Sequence, residues 1–449
     1  MALKRIEFAP LEVFRAWRDL PHPAFLDSAR FHPVHGRWSL IGADPILVCS
    51  VGSDGDENPW DKIRELCRRF CGPLDEKNGL PFGGGAIVGF LGYRMGRHLE
   101  KLPGPRPELL KTPELWLGVY DALACFDHVE KKGVLVSSGV DANGVRDEKR
   151  AAGRLQMMEE RLKRGAREDA PGEAGVRGFA PLWDEAAHAG AVGRILDWIR
   201  RGDVYQVNLT YPFFGETFGA VPDLYERLRR ENPAPFGAYV DFGEGQILSS
   251  SPERFLRVAG GRAQARPIKG TCPRTGDGRL DAAARAGLMA SEKDAAELLM
   301  ITDLLRNDLG RVARHGKVWT PRLMDCEEYE TVFHLVSTVE AELRPGTSAV
   351  DVLAACFPGG SVTGAPKIRA MEIIHELEPW DRGVYTGALG YFGFDETSDF
   401  NIPIRTLVCR DGKAAFFVGG GIVADSKPDT EWRETLCKAR GLLRLEKKG

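Results

Sequence analysis

The chain has 449 residues, of which 43% are hydrophobic and 28% are charged, so it can form a large buried core. Lys and Arg number 61 and Asp and Glu number 64, a balance that favours neither nucleic acid nor an anionic membrane as partner. No apolar stretch approaches the roughly 20 residues of a membrane-spanning helix, and the charged first residues are not typical of a signal peptide. Nine scattered cysteines favour a reducing compartment, so we predict a cytoplasmic protein.

One change of composition divides the chain. Residues 164–181 are rich in Gly, Ala, Pro and charge and have no hydrophobic period, which predicts a surface linker. The linker would join an N-terminal portion, residues 1–163, to a C-terminal portion, residues 182–449. In the C-terminal portion, GAYVDF, QILSSS and RFLRVAG follow one another like antiparallel strands, without regular βαβ units. This pattern predicts an α+β fold built on large antiparallel sheets.

The clearest predicted helix covers residues 291–311, and Ser291 is a typical capping residue at its start. Glu297 shares a helical stripe with Ile301 and Leu304, which lie four and seven residues further on. A carboxylate on an apolar stripe needs a metal ion or a basic group as its partner, unless it reaches solvent at the edge of the stripe. The stripe alone favours neither interpretation.

A lysine lies among small and apolar residues in the segment PIKGT. A poorly hydrated Lys269 could act as an amine nucleophile or base, because desolvation disfavours its charged form. Most lysines are solvated, so the segment by itself predicts a surface turn.

Two glycine-rich segments precede predicted helices. Residues 357–367, FPGGSVTGAPK, could present free backbone N–H groups to an anion, although a structural loop is the simpler interpretation. The segment lacks the GxxxxGK[ST] spacing of a P-loop. The strand FFVGGGIV is followed by a helix that carries Glu431, Glu434 and Lys438 on one face. Without further information, Glu434 and Lys438 would be a solvated pair on a helix surface.

Taken in order, these segments resemble the chorismate-utilising enzymes. This family includes anthranilate synthase component I, aminodeoxychorismate synthase component I, and the isochorismate and salicylate synthases. The matching blocks cover most of residues 190–445 and are GDVYQVNLT, SSSPERF, PIKGT, SEKDAAELLMITDLLRNDLGRV, VFHLVSTVEAEL, FPGGSVTGAPK, YTGALGYF, DFNIPIRT, GGGIVADS and ETLCKA. The resemblance implies one intimately packed fold, in which two large antiparallel β-sheets form a sandwich flanked by helices.

The resemblance also implies a Mg²⁺ site and a site for the dianion chorismate. Glu297 and Glu434 would be the metal ligands, with Glu431 beside them, and the ion would hold the ring carboxylate of chorismate. Lys438 would lie near that carboxylate. The groups that would grip the enolpyruvyl carboxylate are Arg405, Tyr385 and the backbone of Gly419, Gly420 and Gly421. Arg405 is expected within a strand, NIPIRTLV, in which Pro403 predicts a local irregularity.

Four further residues resemble catalytic or ring-lining positions of the family. His334, Ser361 and Thr363 would line the substrate ring. Glu253 resembles the general acid that helps the 4-hydroxyl group leave. An acid with that role at neutral pH needs a raised pKa, which burial would provide.

Two positions separate the members of the family. PIKGT resembles the aminodeoxychorismate synthases, in which the lysine forms a covalent bond to the ring, whereas anthranilate synthases typically read PIAGT. Lys269 would then be the nucleophile. Members that add water carry a lysine where this chain has Gln206, which argues against isochorismate and salicylate synthesis.

The resemblance therefore implies amination of chorismate to 4-amino-4-deoxychorismate, a precursor of p-aminobenzoate and folate. Ammonia would come from a separate glutaminase subunit, because none of the nine cysteines lies in a G-x-C-x-G context. The alternatives are anthranilate synthase component I, a non-catalytic homologue and a phosphate or nucleotide binder. The last of these lacks a P-loop or dinucleotide fingerprint.

Overall fold

The computed structural model describes residues 1–31, 35–52, 57–72, 79–165, 172–328 and 332–447. In chain order the strands in these ranges are β1 (Ala2–Ile6), β2 (Ala24–Asp27), β3 (Trp38–Gly42), β4 (Leu47–Val51), β5 (Ala86–Leu91), β6 (Leu115–Tyr120), β7 (Ala122–Asp127), β8 (Lys132–Ser137), β9 (Gly175–Pro181), β10 (Gln206–Phe218), β11 (Phe236–Asp241), β12 (Gln246–Ser251), β13 (Arg254–Ala259), β14 (Arg262–Ala265), β15 (Ile268–Pro273), β16 (Ala313–Glu328), β17 (Val332–Leu343), β18 (Gly364–Ala365), β19 (Ala388–Gly393), β20 (Ser398–Asn401), β21 (Thr406–Arg410) and β22 (Lys413–Ile422).

The same ranges contain ten α-helices and two short 3₁₀ segments. The α-helices are α1 (Pro10–Trp17), α2 (Pro59–Phe70), α3 (Glu148–Gly165), α4 (Glu185–Arg201), α5 (Val221–Glu231), α6 (Gly278–Met289), α7 (Glu292–Gly310), α8 (Ala349–Cys356), α9 (Lys367–Leu377) and α10 (Pro428–Leu443). The predicted helix over 291–311 is confirmed as α7, and the Ser291 side chain accepts a hydrogen bond from the Asp294 backbone N–H. Such a bond satisfies a donor that the helix itself leaves free.

Two antiparallel sheets form the fold, as the resemblance implies. In the described residues the larger sheet has 12 strands in the order β1-β8-β7-β3-β2-β11-β12-β21-β22-β10-β18, with β9 beside β10. The smaller has 10 strands in the order β15-β17-β14-β13-β20-β19-β5-β6-β4, with β16 beside β17. Strands such as β5 and β6 are buried along their whole length, and an unbroken apolar run is typical of a strand that is covered on both faces.

The N-terminal and C-terminal portions share both sheets. The strands β2 and β11 join them in the larger sheet, and β5 and β19 join them in the smaller. The three consecutive strands predicted in GAYVDF, QILSSS and RFLRVAG are β11, β12 and β13, but β13 leaves its neighbours and pairs with β14 and β20 in the other sheet. No helix in the described ranges is long and apolar enough to cross a membrane.

The predicted linker over 164–181 differs from the structure at both of its ends. Its first residues, 164–165, complete α3, and Gly175–Pro181 form β9 at the side of β10. Residues 166–171 lie outside the described residues. The linker prediction relied on polar composition, yet β9 is a mostly exposed strand in which Val176 is fully buried. Gly175 leaves room for the Phe218 ring, which a Cβ atom would overlap.

A buried ion pair fixes the region where α9, β10 and the glycine-rich segment 357–367 meet. Arg382 and Glu378 are 2.7 Å apart, and their side chains are only 1% and 4% exposed. The Arg382 guanidinium also donates to the carbonyl groups of Asn208 and Val362. The Glu378 carboxylate accepts from the backbone N–H of Thr210. Loss of either partner would therefore leave a buried charge without its counter-ion.

We expect Arg382→Met to lower the free energy of unfolding by about 3–5 kcal/mol, because Glu378 would stay buried without its partner. Denaturant unfolding measures this loss. The matched control is Arg230→Met, which removes an exposed arginine 3.9 Å from Glu231 and should cost less than about 1 kcal/mol. Equal losses in the two variants would contradict a structural role for the buried pair.

Candidate active site

Two lysines and three carboxylates from three different elements converge beside β22. The strand β15 provides Lys269, α7 provides Glu297, and α10 provides Glu431, Glu434 and Lys438. The Lys269 Nζ atom lies 3.5 Å from Glu297 Oε2, and the Lys438 Nζ atom lies 2.8 Å from Glu434 Oε1. Lys438 also donates to the Gly419 carbonyl over 2.9 Å, so α10 is tied to β22.

The local sequence explains why Lys269 points into this site. Gly270 has a φ of +67°, a left-handed conformation that glycine adopts without strain. A side chain at this position would also press against Leu288 and Asp294. The pairing of β15 with β17 shifts between Lys269 and Thr271, as expected for a β-bulge. The glycine after the lysine therefore serves to re-aim the strand.

The glycines of β22 differ in what they make room for. A Cβ atom on Gly421 would overlap the Gln206 amide and lie 3.4 Å from Lys269 Nζ. A Cβ atom on Gly420 would lie 3.3 Å from Glu431 Oε2, whereas one on Gly419 would press on Thr210 of the neighbouring strand. Gly420 and Gly421 thus keep open the space between the strand and the charged groups, as expected for glycines that permit close approach.

Glu253 is a buried acid between β12 and β13. It is 6% exposed, and the Ser361 hydroxyl donates a hydrogen bond of 2.9 Å to its Oε1 atom. Burial raises the pKa of Glu253 to about 7, although Ser361, Lys269 and Arg405 each oppose the rise. Because burial disfavours the charged form, the carboxyl group keeps its proton close to neutral pH. The charges of Lys269 and Arg405 both lower the pKa of Glu253, which indicates that Glu253, Lys269 and Arg405 face one region of the protein.

His334 lies opposite Thr271 in the pairing of β17 with β15. Its Nδ1 atom shares a hydrogen bond of 2.8 Å with the Thr271 hydroxyl. Burial lowers the pKa of His334 to about 4, and the positive charges of Arg405 and Arg30 add to this effect. The imidazole is therefore neutral at neutral pH. It can orient a substrate group by hydrogen bonding without adding a positive charge.

Arg405 does not lie within a strand, and that prediction was wrong. It sits between β20 and β21 with a φ of +52°, because the chain around Pro403 cannot continue the ladder of hydrogen bonds. The irregularity predicted at Pro403 is confirmed. Burial lowers the pKa of Arg405, and the positive charge of Arg30 lowers it further. Tyr385 is buried, and its ring stacks on Phe417 of β22 at a centroid distance of 5.5 Å.

The two hydroxyl residues of the glycine-rich segment have different surroundings. Ser361 lies in a short 3₁₀ turn, Gly360–Val362, and reaches Glu253. Thr363 is fully buried, and its hydroxyl donates to the Gly359 carbonyl over 3.0 Å. Thr363 thus braces the turn that carries Ser361, and its ring-lining role stays a prediction.

Three contributors to the site escaped the sequence analysis. Lys293 lies 3.7 Å from Glu431, and the Ser426 hydroxyl donates to the same carboxylate over 2.7 Å. The spacing of four residues between Lys293 and Glu297 on α7 was a usable signal, because residues i and i+4 share a helix face. Arg30 belongs to the N-terminal portion, and nothing in the sequence near it indicates that its charge influences His334 and Arg405.

Aromatic packing holds α10 in place behind the carboxylates. The Trp432 ring stacks on Tyr211 of β10 at a centroid distance of 5.1 Å. The centroid of the His188 ring of α4 lies 5.4 Å from that of Trp432. The Tyr211 and Thr435 hydroxyl groups are 2.7 Å apart. These contacts fix the rotation of α10, so that Glu431 and Glu434 face β22.

The carboxylates of Glu297, Glu431 and Glu434 are donors that suit a hard divalent cation. Carboxylate oxygens are what Mg²⁺ prefers, and one or two are enough because water and substrate complete its coordination. In the described part of the chain, no three His, Cys, Asp or Glu side chains are close enough to form a ready-made metal site. The carboxylates are instead paired with lysines, so a cation that enters this cluster has to compete with their amines.

Known proteins share both the sequence pattern and the fold. The model of the family "chorismate binding enzyme" matches residues 27–444, so the chain belongs to that family. It is 42% identical to anthranilate synthase component 1 of Thermus thermophilus over 86% of this chain and 82% of that protein. It is 41% identical to aminodeoxychorismate synthase component 1 of Salmonella typhimurium over 94% and 93%. Anthranilate synthase component I from Streptococcus pneumoniae superposes with a TM-score of 0.81, 32% identity and coverage of 92% and 93%.

The buried acid gives a testable dependence of stability on pH. Between the ordinary carboxyl pKa of 4.5 and the folded-state pKa of about 7, the folded chain keeps a proton on Glu253 that the unfolded chain loses. The free energy of unfolding should therefore fall as pH rises through this window, by roughly 3 kcal/mol in total. Glu253→Gln removes this contribution, so the variant should gain stability relative to the parent as pH rises.

Denaturant unfolding of the parent and of Glu253→Gln across this pH range measures the difference. Ser361→Ala, which removes a bond that lowers the pKa of Glu253, should extend the window to higher pH. A stability difference between parent and Glu253→Gln that stays constant with pH would contradict the raised pKa.

Proposed function

We propose that this chain is an aminodeoxychorismate synthase component I, which aminates chorismate to 4-amino-4-deoxychorismate with Mg²⁺ as its cofactor. The observation that carries the proposal is the position of Lys269, close to Glu297 and within the electrostatic influence of Glu253. A nucleophilic amine beside an acid that is protonated near neutral pH supports displacement of a ring hydroxyl group.

The first half-reaction uses Lys269 and Glu253. Lys269 first gives its ammonium proton to solvent, and the free amine then forms a bond to ring carbon 2. Both ring double bonds shift by one position, and the bond between carbon 4 and its oxygen breaks. Glu253 donates its proton to the departing hydroxyl group, which leaves as water. Its raised pKa keeps that proton available near neutral pH.

The second half-reaction releases the enzyme. Ammonia forms a bond to carbon 4, both ring double bonds shift back, and the bond between carbon 2 and Lys269 breaks. The proton that the new amino group sheds returns to the Glu253 carboxylate. Gln206, whose amide lies beside Gly421 near Lys269, has no basic group with which to activate water. This supports ammonia over water as the incoming nucleophile.

The remaining residues hold and orient the substrate. Mg²⁺, held by Glu297 and Glu434 with Glu431 beside them, would supply positive charge for the ring carboxylate. Arg405 is a buried guanidinium suited to the enolpyruvyl carboxylate, and Tyr385 and the β22 backbone would support that end. His334 and Ser361 would contact the ring between the two carboxylates.

The ammonia source is proposed to be a separate glutaminase subunit. The anthranilate synthase and aminodeoxychorismate synthase relatives are both named component 1, which implies a second component. Anthranilate synthase component I remains the second candidate, since relatives of that name are as similar to this chain as the aminodeoxychorismate synthases.

Product analysis separates these two candidates. The purified chain is mixed with chorismate, Mg²⁺ and an ammonium salt, and the products are identified by mass spectrometry. We expect 4-amino-4-deoxychorismate, because free ammonia replaces the glutaminase. Anthranilate would favour the second candidate. Unchanged chorismate, even with a glutaminase subunit and glutamine present, would contradict both.

Lys269→Ala tests the covalent step. We expect the rate of amination to fall at least about a hundredfold, because the nucleophile is removed. Mass spectrometry of the intact parent protein, quenched during turnover without ammonia, should detect an adduct that the variant lacks. The control is Lys317→Ala, at an exposed position on β16. Amination by Lys269→Ala at the parent rate would contradict a covalent role.

A further inference from the structure

Each carboxylate in the candidate metal site has a lysine partner of its own. The three pairs are Lys269 with Glu297 at 3.5 Å, Lys293 with Glu431 at 3.7 Å, and Lys438 with Glu434 at 2.8 Å. The six groups together carry no net formal charge. A site with this balance holds its carboxylates in place without a metal ion. It also offers a divalent cation no uncompensated negative charge.

The three lysines differ in how firmly they are held. Lys269 is 17% exposed and lies on a strand inside the fold. Lys438 donates a second bond to the Gly419 carbonyl. Lys293 is 46% exposed, and Glu431 is its one ion-pair partner within 4 Å in the described ranges. Lys293 is therefore the amine that can move into solvent at the lowest cost.

Its place on α7 adds to this difference. Lys293 is the second residue of the helix, where the partial positive charge of the helix N-terminus disfavours a cation. It shares a helix face with Glu297, which lies one turn further along. Glu431, by contrast, is only 2% exposed and keeps the Ser426 hydroxyl as a partner when the lysine leaves. The attraction of the carboxylates, not the helix, holds the Lys293 amine inward.

We propose that Lys293 is a displaceable counter-ion of this carboxylate cluster, which neutralises Glu431 in the absence of metal and moves into solvent when a divalent cation binds. This inference rests on the proposed function, because it assumes the Mg²⁺ site. Lys293 is thus a positioning residue that acts through Glu431. A cation that replaces it adds positive charge to a balanced site, which suits a substrate with two carboxylates.

The proposal has a direct consequence for metal affinity. Lys293 competes with the metal, so its removal should tighten cation binding to the free protein. A lysine that merely supported the site would have the opposite effect, since its loss would loosen the carboxylates. The sign of the change therefore distinguishes the two roles.

The test uses Mn²⁺ as the probe, titrated into the full-length chain without substrate, with free Mn²⁺ measured by electron paramagnetic resonance. Lys293→Met keeps the length of the side chain and removes its charge. We expect the Kd for Mn²⁺ to fall about tenfold, because one nearby positive charge is lost in a half-exposed site. Lys293→Arg keeps the charge and should retain the Kd of the parent. Lys317→Met on β16 removes an exposed lysine elsewhere and should also leave it unchanged.

An unchanged or raised Kd in Lys293→Met would overturn the inference. Glu434→Gln separates that failure from failure of the metal site. If Glu434→Gln weakens Mn²⁺ binding while Lys293→Met does not tighten it, the site stands and only the role of Lys293 is wrong. If Glu434→Gln leaves Mn²⁺ binding intact, both the proposed metal site and this inference are wrong.

Discussion

The pairing of β10 with β22 is the contact on which the site depends. Ten residue pairs, from Val207 with Ile422 to Glu216 with Lys413, join these strands in the larger sheet. The strand β22 brings its glycines beside Gln206 at the start of β10, and the chain then continues into α10. The carboxylates of α10 consequently face the same strand. Arg382 ties β10 to the glycine-rich segment 357–367, so one framework positions the carboxylates of α10 and the turn that carries Ser361.

Burial without full compensation gives the site its chemistry. The loss of water raises the pKa of Glu253 to about 7 and lowers that of His334 to about 4. The two shifts have opposite directions but one cause, since a poorly hydrated environment favours the neutral form of either group. The site therefore holds a protonated acid and a neutral imidazole near neutral pH. The lysines and carboxylates nearby are kept as pairs, which avoids the cost of isolated charges.

Family membership and the specific reaction rest on different kinds of observation. The match over residues 27–444 and the superposition with a TM-score of 0.81 establish a chorismate binding enzyme. The sequences named aminodeoxychorismate synthase and anthranilate synthase are about equally similar to this chain. Overall similarity therefore cannot choose between them. Under the proposed function the choice depends on a few side chains, above all on Lys269, whose amine would form the bond to the ring.

The sequence by itself determined the helix that carries Glu297, the strand that carries the three glycines, and the general fold class, because hydrophobic period and capping residues are local signals. The ordered motifs also implied that Glu253, Lys269 and Glu434 share one site, and in the structure the charge of Lys269 influences both carboxyl groups. Only the tertiary structure decided that Gly175–Pro181 form a strand and that Arg405 lies outside one. Strand pairing joins segments far apart in sequence, so composition alone could not predict it. The same reason applies to Lys293, because its partner Glu431 lies on another helix, α10, far away in sequence.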